Sequence, residues 1–299
     1  MRKIFAAGIF SLMASTGLTS GANAAACSIS GTTSFGYTGA VETCDVTQAG
    51  TYAITAIGAD TIGAKGGGNG AYISGDISLS SDEAVLIVVG EFANGYGGGG
   101  SFVFQGTGTG AIPLIVGGGG GGSGISSGGG NASLTPSGGT NIGSAPGGIN
   151  GGNGAGGPNY YGSNYGFGGY GYIAVLSNPT PPNGGFGGGS YPYDNSGGGG
   201  GGYSGGGSAG YGGGGGGSYV ISSATNTSSQ IYYGSTYSGY GEVLFNYVGP
   251  PTSSSGSGTT GSGTTPTSVP EPSSLAILMA ALVGLGIAVR YKRKSAMTT

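Results

Sequence analysis

The sequence Ala-Ile-Pro-Leu-Ile-Val-Gly-Gly-Gly-Gly-Gly-Gly occupies residues 111–122. Its short apolar run is typical of a buried strand, and the strand leads directly into six glycines. Further glycine runs lie at residues 97–100, 197–202 and 212–217. Glycine loses more conformational entropy on ordering than any other residue, so isolated runs would be flexible linkers. Because these runs adjoin strand-like segments directly, we interpret them as ordered spacers between strands.

The segments around the glycine runs predict an all-β domain. In residues 72–79 the alternation places Ile73, Ile77 and Leu79 on one face of a strand, and residues 84–89 form the continuous apolar run expected of a strand buried on both faces. No amphipathic helix is recognised between the two terminal segments. The predicted strands are residues 51–57, 72–79, 84–89, 101–104, 112–116, 172–176, 218–221, 230–233 and 242–247.

The composition excludes much of the usual catalytic chemistry. The chain has 299 residues, of which 79 are glycine, and it contains no His and no Trp. Without His there is no Ser-His-Asp or Cys-His catalytic set and no His-ligated zinc site. The glycines do not recur at every third position, which excludes collagen. We therefore expect neither an enzyme nor a bound cofactor.

The few basic residues are concentrated at the two ends of the chain. Of seven Lys and Arg residues, only Lys65 lies in residues 25–268, which hold nine acidic groups and a formal charge of −8. Such a domain is not expected to bind nucleic acid, which attracts basic surfaces. We assign the basic clusters to targeting segments.

Residues 1–26 are predicted to be a secretory signal peptide. Arg2 and Lys3 precede an apolar stretch, and small residues lead to candidate cleavage sites after Ala24 and Ala26. Two alternatives remain open at this point: a first transmembrane helix, and a lipoprotein signal, since Cys27 follows Ala26. In an oxidising compartment Cys27 and Cys44 are expected to form a disulfide. A reactive free thiol is not expected, because no nearby cation or His would activate it.

The C-terminal end carries the most specific signal in the chain. Residues 273–289 contain no charge and would span about 25 Å as a helix, close to the lower limit for crossing a bilayer. The basic cluster that follows would hold its side in the cytoplasm. The motif residues are Val269, Pro270, Glu271 and Pro272, and the basic residues are Arg290, Lys292, Arg293 and Lys294.

This arrangement resembles the PEP-CTERM sorting signal of Gram-negative bacteria. The resemblance implies an exported protein whose tail is read by an exosortase, a membrane-embedded protease or transpeptidase, and an association with exopolysaccharide and biofilm. A plain C-terminal membrane anchor is the alternative. The predicted organisation is a signal peptide (1–26), a glycine-rich β domain (27–249), a flexible Ser/Thr/Gly/Pro linker (250–268) and the sorting signal (269–294).

The order of strands and glycine runs in residues 50–247 also resembles a known domain. It is similar to the glycine-rich domain of the anaplastic-lymphoma-kinase and leukocyte-tyrosine-kinase receptors, which also occurs in bacterial surface proteins. That resemblance implies a β-sandwich like the tumour-necrosis-factor fold, with glycine runs packed side by side as left-handed threefold helices. Side-chain-free helices of this kind can approach closely and bond amide to carbonyl.

Two acidic motifs are candidate chemical sites. Residues 58–62 fit part of a calcium nonapeptide, but such sites need tandem repeats. Asp82 and Glu83 could form a carboxylate pair for sugar hydrolysis, and a polar turn is the better explanation. Nineteen tyrosines lie between the terminal segments, where they either pack against the glycines or offer ring faces to carbohydrate.

Three functions follow from the sequence. The first is a non-enzymatic surface or extracellular-matrix protein sorted by an exosortase-type system. The second is an adhesin module that binds carbohydrate or protein through its tyrosine-rich domain. The third, an enzyme, has the least support.

Overall fold

The computed structural model describes residues 25–27, 30–63, 65–141, 145–156, 167–180, 184–191, 196–208, 210–233 and 239–250. These residues form mostly β-strands with very little helix, so the all-β prediction is confirmed. The strands are β1 (Ala25–Ala26), β2 (Thr32–Gly36), β3 (Glu42–Val46), β4 (Gly50–Ile57), β5 (Thr61–Ile62), β6 (Ala71–Leu79), β7 (Glu83–Val88), β8 (Ala93–Asn94), β9 (Ser101–Gln105), β10 (Ile112–Gly117), β11 (Gly184–Gly185), β12 (Gly189–Ser190), β13 (Tyr219–Val220), β14 (Thr225–Ile231) and β15 (Glu242–Gly249).

Two sheets account for most of these strands. The first has the order β1-β3-β7-β9-β10-β13, and the second has the order β14-β6-β4-β15-β2. All neighbours pair antiparallel except β1 and β3, which are parallel. Two small two-stranded pairs, β5 with β8 and β11 with β12, lie outside the large sheets.

The main hydrophobic core lies between the two large sheets. Strand β6 alternates as predicted, with Ile73, Ile77 and Leu79 buried in this core. Alternate residues of the facing strands complete it, because successive side chains of a strand point to opposite faces. The largest fully buried contributors are Tyr52, Ile54 and Phe245 from the second sheet and Val46, Val85, Ile87, Val103, Leu114 and Ile115 from the first.

The outer face of the first sheet carries a second hydrophobic core. Phe102 and Phe104 of β9 point to this side with their rings 5.7 Å apart, and Val88 and Val116 flank them. Strand β9 is therefore buried on both faces. Val175, which is 1 % exposed, is one of the residues that cover this core on the side away from the sheet.

Val175 belongs to a helix, α1 (Tyr172–Ser177), where the sequence analysis predicted a strand. That prediction, and the prediction of no helix between the terminal segments, are wrong. The amide of Val175 donates to the carbonyl of Gly171 at 3.1 Å, which closes a helical turn. Tyr172, Val175 and Leu176 all pack on the second core. Their spacing is that of one helix face, and a strand would have turned Val175 away from the other two.

The four glycine runs form a buried unit, called here the glycine bundle. Every residue in runs 97–100, 117–122, 197–202 and 212–217 is buried. Hydrogen bonds join the runs to one another: the amide of Gly119 donates to Gly201, that of Gly98 to Gly120, and that of Gly200 to Gly214, at 2.8–2.9 Å. These bonds satisfy backbone groups that would otherwise be buried without partners.

The hydrogen bonds of run 117–122 repeat every third residue. Gly119 and Gly122 each donate to run 197–202 and each accept from run 212–217. Between them, Gly120 donates to Ala59 and accepts from Gly98. A period of three, with backbone groups directed outward to neighbours, is that of polyproline II geometry. The period explains how one run contacts several neighbouring segments at once.

Candidate functional site

A surface cleft of about 490 Å³ lies where three neighbouring strands meet at one end of the second sheet. Glu242, the first residue of β15, pairs with Gly36 at the end of β2 and with Ile57 at the end of β4. The antiparallel register therefore brings segments distant in sequence to one place. The cleft is lined by Gly36, Tyr37, Ile57, Tyr232, Tyr240, Gly241 and Glu242.

Aromatic rings form one wall of this cleft. Tyr37 and Tyr240 stack with centroids 4.7 Å apart and planes 17° from parallel. Phe92 packs against Tyr240 at 5.8 Å, and Phe186 meets the ring of Tyr37 edge-on at 6.1 Å. Tyr240 remains 43 % exposed. The wall thus holds a fixed ring whose surface is open to a ligand.

Carboxylates and neutral phenols set the electrostatics of the cleft. Burial, and then the neighbouring Glu91 carboxylate, raise the pKa of Tyr37, so its phenol stays neutral at physiological pH. Glu91 also accepts from the amide of Phe186 at 2.8 Å. Glu242 accepts from the hydroxyl of Ser34 at 2.5 Å. Among the described residues that line the cleft none is basic, which suits a neutral, hydroxyl-rich ligand better than an anionic one.

In each of the two acidic motifs a carboxylate accepts a hydrogen bond from a backbone amide. Asp60 accepts from the amide of Gly70 at 2.7 Å; burial raises the pKa of Asp60 and this hydrogen bond lowers it to a lesser extent. Asp82 has a φ of 61°, and Glu83 accepts from the amide of Ser80 at 3.1 Å, as in a turn between strands. Among the described residues there is no group of three acidic or Cys side chains placed to hold a metal ion.

Cys27 and Cys44 form a disulfide in the structure, with Cα atoms 5.0 Å apart and both residues fully buried. The bond joins the residue that follows β1 to β3, and both cysteines belong to the main core. Ala26 is an exposed residue of β1. Ala24, residues 269–272 and the basic residues 290–294 lie outside the described residues.

The pairing of Tyr37 with Tyr240 was not recognised from the sequence. The two residues are far apart in the chain, and neither lies in a motif with a spacing of its own. The available signal was indirect: each is next to a strand end, and a correct β2–β15 register would have placed them together.

Comparison with known protein families identifies the C-terminal signal. The model of the PEP-CTERM protein-sorting motif matches residues 268–294. The prediction of a sorting signal is confirmed, and the motif indicates an exported protein that an exosortase, a membrane protease, recognises. Of the residues that the structure describes, none belongs to a helix with the length and apolar character needed to span a membrane. The predicted span at 273–289 lies outside them.

No curated protein matches the chain. The resemblance of residues 50–247 to the receptor glycine-rich domain therefore has no support from known sequences.

Proposed function

We propose that the protein, which carries an exosortase sorting motif, is a non-enzymatic component of the cell surface or extracellular matrix of a Gram-negative bacterium. Residues 1–26 direct export, and residues 273–289 hold the precursor in the membrane with Arg290, Lys292, Arg293 and Lys294 on the cytoplasmic side. The match at residues 268–294 is the observation that carries this proposal. The exopolysaccharide of a biofilm is the setting in which such a product would act.

The domain itself suits a structural role. It is sparsely charged, lacks His and buries a hydrogen-bonded glycine bundle beside two sheets. We further infer that the sheets form a sandwich of the tumour-necrosis-factor type, since antiparallel sheets of six and five strands face one another across one core. The glycine bundle would be an insertion that enlarges such a sandwich without side chains.

Mass spectrometry of the protein from its own cells tests the sorting proposal. We expect extracellular chains to lack residues 275–294, and precursor to accumulate when the exosortase is deleted. Pro270→Ala should cause the same accumulation, because it alters the Pro-Glu-Pro motif. Pro266→Ala, in the preceding linker, is the matched control and should be processed normally. Intact residues 275–294 in the extracellular product would instead support a plain membrane anchor.

The cleft lined by Tyr37, Tyr232 and Tyr240 favours a second function, compatible with the first. This function is binding of a neutral polysaccharide. Aromatic faces stack on the apolar faces of sugar rings, while phenol and carboxylate oxygens bond to sugar hydroxyls. A uronic-acid polymer would meet the Glu242 carboxylate, and no basic side chain is found among the lining residues that the structure describes. We therefore expect the uronic-acid polymer to bind more weakly than a neutral one.

Replacing Tyr240 by alanine tests this binding. We expect the Kd for a soluble neutral glucan to rise about tenfold, the equivalent of one lost aromatic contact. Tyr211→Ala is the matched control, because Tyr211 is 45 % exposed and Tyr240 is 43 % exposed, and only Tyr240 lines the cleft. Isothermal titration measures both variants after their melting temperatures are compared. Equal loss in both, or no loss in Tyr240→Ala, would remove the cleft from consideration.

A further inference from the structure

A second pair of tyrosines lies at the surface away from the lining of the cleft. Tyr96 and Tyr191 stack with ring centroids 3.9 Å apart and planes 26° from parallel. The hydroxyl of Tyr96 donates to the hydroxyl of Tyr191 at 2.6 Å. Tyr191 is 47 % exposed, so solutes reach the pair. The two phenol rings are therefore stacked face to face, and their hydroxyl groups lie on the same side of the stack.

Rigid backbone holds both residues in this position. Tyr96 precedes glycine run 97–100, and Tyr191 follows β12. The amide of Gly97 donates to the carbonyl of Ser190 at 3.0 Å, and Ser190 in turn donates its amide to Gly199 at 3.0 Å. The residues next to both tyrosines are thus bonded to each other and to the glycine bundle. The pair is preorganised by the fold.

The geometry brings together the carbon atoms at which tyrosyl radicals couple. In a phenol ring the two ortho carbons flank the carbon that bears the hydroxyl group, on the hydroxyl side of the ring centre. When ring centres are 3.9 Å apart and hydroxyl oxygens 2.6 Å apart, the ortho carbons of the two rings must face each other close to van der Waals contact. Unpaired spin in a tyrosyl radical is concentrated on the oxygen, the ortho carbons and the para carbon. The para carbon already carries the side chain, so carbon–carbon coupling takes place at the ortho carbons.

We propose that Tyr96 and Tyr191 are joined after export as an intramolecular dityrosine. Each phenol loses one electron and one proton to hydrogen peroxide acting through a haem peroxidase. The two radicals form one carbon–carbon bond between ortho carbons, and the two ortho hydrogens move to the oxygens to restore the phenols. The peroxide takes up two electrons and two protons and becomes two waters, so the protein loses two hydrogen atoms.

Other stacked tyrosines of the described region are less suited to this reaction. Tyr203 stacks on Tyr219 at 4.4 Å and on Tyr172 at 4.9 Å, but all three pack against the second hydrophobic core, where access is restricted. Tyr37 and Tyr240 stack at 4.7 Å, and Tyr37 also packs against the core. The Tyr96–Tyr191 pair combines the shortest of these four ring distances with a direct hydroxyl–hydroxyl hydrogen bond.

The bond would fasten two segments that are 95 residues apart in the chain. It would tie the start of glycine run 97–100 to the β11–β12 hairpin, and the loop that it closes is much longer than that of the disulfide. A cross-link that restricts the unfolded chain in this way raises the melting temperature on the order of 10 °C in the chain-entropy model. This modification is independent of the proposed sorting and of glycan binding at the cleft.

The test treats the purified exported protein with hydrogen peroxide and a haem peroxidase, followed by proteolysis and mass spectrometry. We expect one cross-linked peptide pair that contains Tyr96 and Tyr191, lacks two hydrogens and comes from monomeric protein. Tyr96→Phe and Tyr191→Phe should each lower the dityrosine yield about tenfold, because the proximity of the two phenols drives the coupling. Dityrosine fluorescence measures the yield.

Two controls separate preorganisation from exposure. Tyr233→Phe removes a tyrosine that is 76 % exposed and should leave the yield unchanged. Treatment in denaturant exposes every tyrosine and should abolish the preference for the Tyr96–Tyr191 pair. The proposal is overturned if native protein yields mainly other pairs, if the links join separate chains, or if Tyr96→Phe gives the wild-type yield.

Discussion

Gly120→Ala is expected to destabilise the protein by about 3 kcal/mol or more, which places it among the most damaging single substitutions. A Cβ atom at residue 120 would lie 2.0 Å from the carbonyl oxygen of Gly68 and 2.4 Å from its carbonyl carbon. Both are backbone atoms, so no side chain can rotate away to make room. Run 117–122 must move away from Gly68, and the hydrogen bonds of Gly120 to Ala59 and Gly98 weaken together.

Gly110→Ala is the matched control for this prediction. Gly110 is exposed, and a Cβ atom there would meet no other atom within 4 Å. An alanine at such a site restricts the unfolded chain, so we expect a change of less than about 1 kcal/mol, in the stabilising direction. Urea denaturation followed by far-ultraviolet circular dichroism measures both variants. A Gly120→Ala protein within 1 kcal/mol of the wild type would show that the runs are not packed at these distances.

Loss of the Cys27–Cys44 disulfide is expected to cost about 3 kcal/mol of unfolding free energy, from the entropy of closing a loop with a sequence separation of 17. The effect should be concentrated at one edge of the first sheet. Strand β1 contributes only two residues to its pairing with β3, and next to it the amide of Cys27 donates to the carbonyl of Asp45 at 3.0 Å.

The double variant Cys27→Ala/Cys44→Ala and the reduced wild-type protein should lose similar stability in urea titrations. The double variant also provides the internal control, because added reductant should not change its transition midpoint. If reductant leaves the wild-type midpoint unchanged as well, the disulfide does not contribute to the stability of the exported domain.

Strand prediction succeeded where burial follows the local period. Ile73, Ile77 and Leu79 alternate with polar residues in the sequence, and the structure buries all three. Strands β2 and β3 were missed because most of their residues are polar or small and carry little apolar signal. The first part of β14 was missed for the same reason, since its residues 225–230 are exposed.

Residues 172–176 show why a short apolar segment is ambiguous. Tyr-Ile-Ala-Val-Leu fits a strand by composition and a helix by the spacing of Tyr172, Val175 and Leu176. The choice depends on a surface that the segment does not contain. Phe102 and Phe104 offer an apolar face on β9, and a helical turn covers it with all three side chains.

By itself, the sequence determined the all-β class, the C-terminal sorting signal and the lack of His-based chemistry, because each depends on residue identity or on spacing within a short segment. Only the tertiary structure decided which glycine runs bond to one another and which tyrosines meet. Tyr37 stacks on Tyr240 through the register of β2 and β15, and Tyr96 meets Tyr191 where the β11–β12 hairpin bonds to a glycine run. Such pairs are fixed by hydrogen bonds between distant segments, and the energies of those bonds leave no periodic pattern in the residues that they bring together.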